Sequence, residues 1–219
     1  IDQAIDKAIS QNKQLSTEKL KSMYLKAMIK TSADIPQTNI MADYGQINGA
    51  TNDTRFSISQ NIAFPTVYKR QKQLFTQEWK ESLLSVTMKE YELKRMVTEV
   101  YYNMLYWQKK EALLKKADTL YTNFYDRSSL RLQKGESNIL EKTSTESQKA
   151  GISIQLRQVQ QELNTAGLQL QLLLNTDTLF TPIVHTNSLQ ISLSTTDIAK
   201  NPLLQLTAQK QTIANQQIK

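Results

Sequence analysis

Residues 54–64 read Thr54-Arg55-Phe56-Ser57-Ile58-Ser59-Gln60-Asn61-Ile62-Ala63-Phe64. Phe56, Ile58, Ile62 and Phe64 fall on one side of a period-two pattern, with Gln60 among them, while Arg55, Ser57, Ser59, Asn61 and Ala63 fall on the other. Successive side chains of a strand point to opposite faces, so this alternation predicts a strand with one greasy and one wet face. Residues 35–44 alternate more weakly and bring Ile40, Ala42 and Tyr44 together. Between the two stretches, residues 45–53 are rich in Gly, Asn, Asp and Thr, the composition of a turn. The expectation is a β-hairpin whose strands each have about the ten residues that a tilted barrel strand needs to cross a bilayer.

On either side of the hairpin the period becomes helical. Ala4, Ile5, Ala8, Ile9, Leu20, Met23, Tyr24 and Ala27 predict one helix over residues 1–31. Asp34-Ile35-Pro36 ends it, because the residue before a proline is pushed out of the helical region. After Pro65, Trp79, Leu83, Val86, Leu93, Val97, Val100, Met104, Trp107, Leu114, Ala117, Tyr121 and Phe124 step by threes and fours, with polar slots at Glu90 and Glu111. That is a heptad-like seam, and it runs to about Gln133. Gly135 is the natural stop, and Ser137 is the expected cap of the next helix. In that helix Ile152, Leu156, Val159, Leu163, Ala166, Leu170 and Leu173 keep a strict heptad. Two heptad helices joined by a glycine turn form an antiparallel helical hairpin. At 1.5 Å per residue the first of them spans roughly 100 Å and the second about 55 Å. Residues 175–195 are irregular, and 196–219 begin another helix. The fold class is therefore mainly α, with long antiparallel coiled-coil helices and one β-hairpin.

The composition agrees. The 219 residues include only 5 Gly and 4 Pro, which favours long helices, and the mean hydropathy of −0.49 implies a thin core. The net charge of +7 permits binding to nucleic acid or an anionic membrane. The basic residues are nevertheless interspersed with acids along the helices, as in Lys80-Glu81 and Lys89-Glu90, which reads as a solvated face and not a nucleic-acid groove. With no cysteine, neither disulfide nor thiolate chemistry is available. No segment approaches the roughly 20 apolar residues of a membrane-spanning helix. Ile1 reads as an engineered or mature start, and the C-terminus stops inside a helical pattern, so the chain reads as a fragment of something longer.

This order of elements resembles the outer-membrane efflux protein family typified by TolC. Residues 56–65 (FSISQNIAFP) are similar to the family's second strand, with its glutamine before the barrel-to-helix junction. Val100-Tyr101-Tyr102-Asn103-Met104-Leu105 is similar to a stretch of the family's long helix, and residues 135–140 (GESNIL) to its periplasmic tip. Asn201-Pro202-Leu203-Leu204 is similar to the Asn-Pro that opens each structural repeat. Residues 8–15 parallel 197–204, with Lys13 where proline is usual. The resemblance divides the chain into a first helix of repeat one (1–33), barrel strands (34–65) and a periplasmic helical hairpin (66–174, tip near 133–138). An equatorial segment (175–195) and the start of repeat two (196–219) follow.

The resemblance implies a homotrimer in the outer membrane of a Gram-negative bacterium, with a β-barrel in the lipid and an α-helical tunnel in the periplasm. It implies docking to an inner-membrane pump through a periplasmic adaptor. Residues 52–65 look nearest to the branch that exports cations or heavy metals. On this reading Phe56, Ile58, Ile62 and Phe64 face lipid, and Arg55, Ser57, Ser59 and Asn61 line water. Asp126, Arg127, Arg131, Lys134, Gly135, Glu136 and Glu141 sit at the periplasmic tip, in contact with the adaptor or as a solvated hairpin end.

No nucleophile–base–acid set, phosphate loop or metal spacing is present, so neither enzyme activity nor a cofactor is expected, and the resemblance implies a passive conduit. His185, the only histidine, reads as an ordinary loop residue, and the methionines of the helical runs as packing. A coiled-coil scaffold or adaptor without a barrel would carry the same helices. Residues 35–64 separate the two readings.

Overall fold

The computed structural model describes residues 1–47, 49–50, 52–183 and 201–218. His185 and most of the equatorial segment lie outside them. The elements are α1 (Asp2–Gln11), α2 (Lys13–Thr31), β1 (Asn39–Gly45), β2 (Asp53–Ser59), α3 (Pro65–Gln133), α4 (Ile139–Leu174) and α5 (Pro202–Gln217). They fall into two compact units, Ile1–Lys13 with Lys89–Ser194 and Gln14–Met88 with Thr195–Lys219, and α3 contributes residues to both.

In the first unit, α3 and α4 run antiparallel. Bridges between them join residues 111 to 160, 128 to 145 and 131 to 141, so one number falls as the other rises. The seam buries Leu93, Val97, Met104 and Leu114 of α3 and Val159, Ala166 and Leu170 of α4, as the heptads predict. The α4 seam ends on Leu174, one residue beyond the expected Leu173. Helix α1 packs on α4, where Ala8 is buried, the Asn12 Nδ2 donates to the Leu173 carbonyl at 3.1 Å, and the Lys7 ammonium lies 4.4 Å from the Phe180 ring centre.

In the second unit, α2 and α5 each bond to the start of α3. The Ser22 and Ser82 hydroxyls lie 3.0 Å apart and both residues are buried. The Gln209 Nε2 donates to the carbonyl and side-chain oxygens of Gln77 at 3.1 and 2.9 Å. Here the sequence reading of α2 needs correction. Leu20, Met23 and Tyr24 were expected to face inward, yet all three are exposed, and α2 buries Leu15 and Ser22 instead. The same substitution occurs in α3, where Ser82 and Ser128 are buried while their larger neighbours Leu83 and Phe124 are exposed. A hydroxyl that finds a partner across the contact needs less room than leucine and is satisfied there. The hydrogen bond selects the serine face.

The first helix also differs from expectation. It is interrupted at Asn12, whose φ of −67° and ψ of 119° are extended. Asn201, immediately before α5, has φ −65° and ψ 120°, and its Oδ1 accepts from the Leu203 N–H at 2.9 Å. The two asparagines of the weak sequence repeat thus hold the same backbone shape, although Pro202 follows one and Lys13 the other. Proline suits a first helical position, since its fixed φ fits and that N–H has no partner within the helix. Lys13→Pro should therefore leave the helical circular dichroism unchanged and the melting temperature equal or higher, by up to about 1 kcal/mol of stability. Lys21→Pro, in the interior of α2, should cost about 3 kcal/mol in the same melt.

Candidate functional site

Two places hold the residues singled out by the sequence: the β-hairpin and the turn between α3 and α4. In the hairpin, β1 and β2 pair antiparallel with Asn39 opposite Ser59, Ile40 opposite Ile58, Met41 opposite Ser57, Ala42 opposite Phe56, Asp43 opposite Arg55, Tyr44 opposite Thr54 and Gly45 opposite Asp53. Directly opposed residues share a face. One face therefore carries Ile40, Ile58, Ala42, Phe56 and Tyr44, and the other Arg55, Ser57 and Ser59 with Asn39, Met41 and Asp43. No described residue covers the apolar face: Ile40, Tyr44, Phe56 and Ile58 are each more than 70% exposed. Gly45, at φ +146°, ends β1 in a conformation that L side chains rarely adopt.

The strands are shorter than the ten residues expected. Both have seven residues, and the ladder stops at the pair Asn39–Ser59. Three residues before Asn39 stands Pro36, which has no N–H to donate to a ladder. Its carbonyl accepts instead from the Gln60 side chain at 3.4 Å. Asn61, Ile62 and Phe64 thus lie beyond the paired region, and the structure does not bring them together with Arg55, Ser57, Phe56 and Ile58. Ile62 and Phe64 are exposed. The junction to α3 is tied by the Ala63 N–H donating to the Tyr68 hydroxyl at 3.1 Å and the Val67 N–H to the Phe64 carbonyl at 2.8 Å.

At the other place, α3 ends in a Schellman turn. The Glu136 N–H donates to the Arg131 carbonyl at 2.9 Å and the Gly135 N–H to the Leu132 carbonyl at 3.0 Å, with Gly135 left-handed at φ +71°. The cap of α4 is Asn138 and not the expected Ser137, since the Asn138 Oδ1 accepts from the Glu141 N–H at 3.1 Å. Ser137 instead donates to the Glu141 carboxylate. The other carboxylate oxygen of Glu141 receives the Arg131 guanidinium at 2.8 Å. Arg131, Gly135 and Glu141 are thus brought together, while Asp126, Arg127, Lys134 and Glu136 stand exposed around them. Ile139 and Leu140, the last two residues of the 135–140 stretch, are exposed at the start of α4 and precede the heptad pattern, so periodicity does not mark them.

Farther along the helical hairpin, Glu111 receives Lys115 at 2.7 Å and the Gln160 amide at 3.3 Å. The Lys115 hydrogen bond holds its carboxyl below the usual range, against the opposing effect of partial burial. Burial raises the Glu78 carboxyl, with repulsion from Glu81 adding to it. An open groove of about 600 Å³ is lined by Trp107, Lys110, Gln155, Gln158, Val159 and Glu162. Among the described residues no three metal-ligating side chains cluster, and no helix is long and apolar enough to cross a membrane.

No protein-family model matches the sequence, and no curated protein matches it. Solved structures do. The chain is similar to CusC, described in connection with transmembrane channel formation, at 21% identity and a TM-score of 0.80, over 98% of this chain and 54% of that one. It is similar to the Campylobacter jejuni CmeC outer membrane channel at 13% identity and a TM-score of 0.81, over 99% and 52%. It is also similar to the outer membrane protein VceC of Vibrio cholerae at 10% identity and a TM-score of 0.78, over 99% and 57%. The likeness establishes the fold: long antiparallel helices with one β-hairpin, arranged as in these proteins. The chain spans about half the length of the solved structures it matches.

Two measurements check the turn and its helices. Gly135→Ala meets open space but keeps a left-handed backbone, so it should cost about 1 kcal/mol in chemical denaturation. Asn138→Ala should cost about the same through the lost cap. Because the Glu111 carboxyl is lowered on folding, its stabilisation is complete above the carboxylate's unfolded pKa and is lost as pH falls through the folded one. Glu111→Gln should therefore lower the melting temperature at neutral pH and flatten its fall with acid, so that variant and native protein converge once Glu111 is protonated.

Proposed function

We propose that this chain is the first structural repeat, with the start of the second, of an outer-membrane efflux channel. In this reading it is a passive conduit and not an enzyme. The observation that carries it is the bare apolar face of the hairpin, on a fold shared over almost the whole chain with outer-membrane channels. A face of Ile40, Ala42, Tyr44, Phe56 and Ile58 suits lipid. The opposite face, with Arg55, Ser57, Ser59 and Asn39, suits water. Helices alone would equally suit a coiled-coil scaffold, but a scaffold has no use for an uncovered apolar sheet face.

Lipid accepts such a sheet only when its edges are closed into a barrel, and two strands cannot close. The strands must therefore be pooled, which supports two repeats per protomer and a homotrimer. Ile62 and Phe64 continue the lipid face, and Asn61 the water face, once neighbouring strands extend the ladder beyond Ser59. The long helices α3 and α4 form the tunnel wall in the periplasm. Their turn, built from Arg131, Gly135 and Glu141 with Arg127, Lys134 and Glu136 exposed, meets the periplasmic adaptor that links the channel to an inner-membrane pump. The pump supplies the energy. Metal cations are the proposed cargo, on the likeness of residues 52–65 to the cation-exporting branch.

The test uses the full-length protein in detergent and then in planar bilayers. We expect the mass of a trimer and discrete single-channel conductance. A monomer or dimer that neither conducts nor associates with membranes would overturn the channel and favour the scaffold. Phe56→Arg should cost about 2–4 kcal/mol if the residue lies near the bilayer midplane, seen as reduced insertion into liposomes, whereas Ser57→Arg should insert normally.

A further inference from the structure

The geometry points to the facing pair Asp43 and Arg55 as the charged level of the hairpin that sets the ion selectivity of the pore. This rests on the channel reading and adds to it a specificity-determining position.

The argument begins with the register. Arg55 is the only basic residue in either strand, and the ladder sets it directly opposite Asp43. The other residues of that face at the described pairs beyond it, Met41 with Ser57 and Asn39 with Ser59, carry no charge. Asp53 follows at the loop end, paired with Gly45 and two residues before Arg55. All the charged residues of the two strands therefore lie within three successive pairs at the loop end. The register cannot drift to separate it. A slip of one residue would move Ile40, Ala42, Phe56 and Ile58 to the wet face and Arg55 to the apolar one.

Rings of charged side chains are the usual means by which a pore selects the sign of an ion, acids admitting cations and bases admitting anions. When hairpins of this kind are pooled into a barrel, each places its charges at the same height. The result is a ring in which every base faces an acid. Compensation of that kind weakens the preference for either sign at this level; removal of Arg55 leaves acids alone there, and removal of Asp43 shifts the balance towards the base. Arg55 and Asp43 are thus opposed levers on selectivity. The serines of the same face change only polarity.

The experiment measures reversal potentials of the full-length protein in planar bilayers under a potassium chloride gradient. Arg55→Gln should raise the cation-to-anion permeability ratio several-fold, and Asp43→Asn should lower it. The exchanged pair, Asp43→Arg with Arg55→Asp, should return the ratio to that of the native protein. The shifts should be present at about 0.1 M salt, where charge is screened over about 10 Å, and shrink at about 1 M, where the length is about 3 Å. Native and variant channels that conduct with the same ratio at both salts would overturn the inference and leave the channel standing. A native protein that does not conduct would overturn both.

Discussion

A sheet of two strands has two open edges, and this hairpin has an uncovered apolar face as well. β1 and β2 bond only to each other, so half of the hydrogen-bonding groups on each strand point away from any partner strand. Water would satisfy those edges but not the face of Ile40, Ile58, Phe56 and Tyr44. Lipid would satisfy the face but leave each edge group unpaired, at several kcal/mol apiece. No single environment suits the hairpin by itself. Only further strands in register on both edges, with lipid against one face and water against the other, remove the conflict.

The helices solve a smaller problem of the same kind. A thin core of paired helices has few fully buried positions, and here several are serine. Ser22 and Ser82 meet at 3.0 Å, and Ser128 lies 2.8 Å from the Thr145 hydroxyl while donating to the Tyr125 carbonyl at 2.9 Å. Each contact satisfies a polar group in a place where an unpaired one would be costly. The bulky residues beside them, Leu83 and Phe124, are left outward, as are Leu20, Met23 and Tyr24 of α2. Within each unit these side chains are apolar surface that no described residue covers.

Much of this was legible in the sequence. The alternation of residues 54–59 specified which residues share a face, and the heptads of α3 and α4 specified the seam, because in both cases a single period runs unbroken through the element. What failed was local. Hydropathy ranks serine as an outward residue, so no periodicity argument could place Ser82 or Ser128 inside. Alternation continues to Phe64, but it describes faces and not partners. The partner strand begins only at Asn39. Ser137 and Asn138 both favour the cap position, and only the helix start, which falls after Asn138, decides between them. The break at Asn12 was hidden because no proline or glycine marks it, although the parallel with Asn201 pointed to the position.

The remaining constraint is where the chain reverses. With 5 glycines in 219 residues, left-handed backbone is scarce, and among the described residues it is found at Gly45, Gly135 and Asn175. Each stands at the end of an element: β1, α3 and α4. Asn175, at φ 48° and ψ 54°, closes α4 with bonds to the carbonyls of Gln171 and Leu172, doing without a glycine what Gly135 does at the other end of the helical hairpin. The interiors of α3 and α4, by contrast, are free of proline, and α4 holds its two glycines, Gly151 and Gly167, within regular helix. A sequence that confines its freedom to element ends keeps the register of every seam and ladder between them.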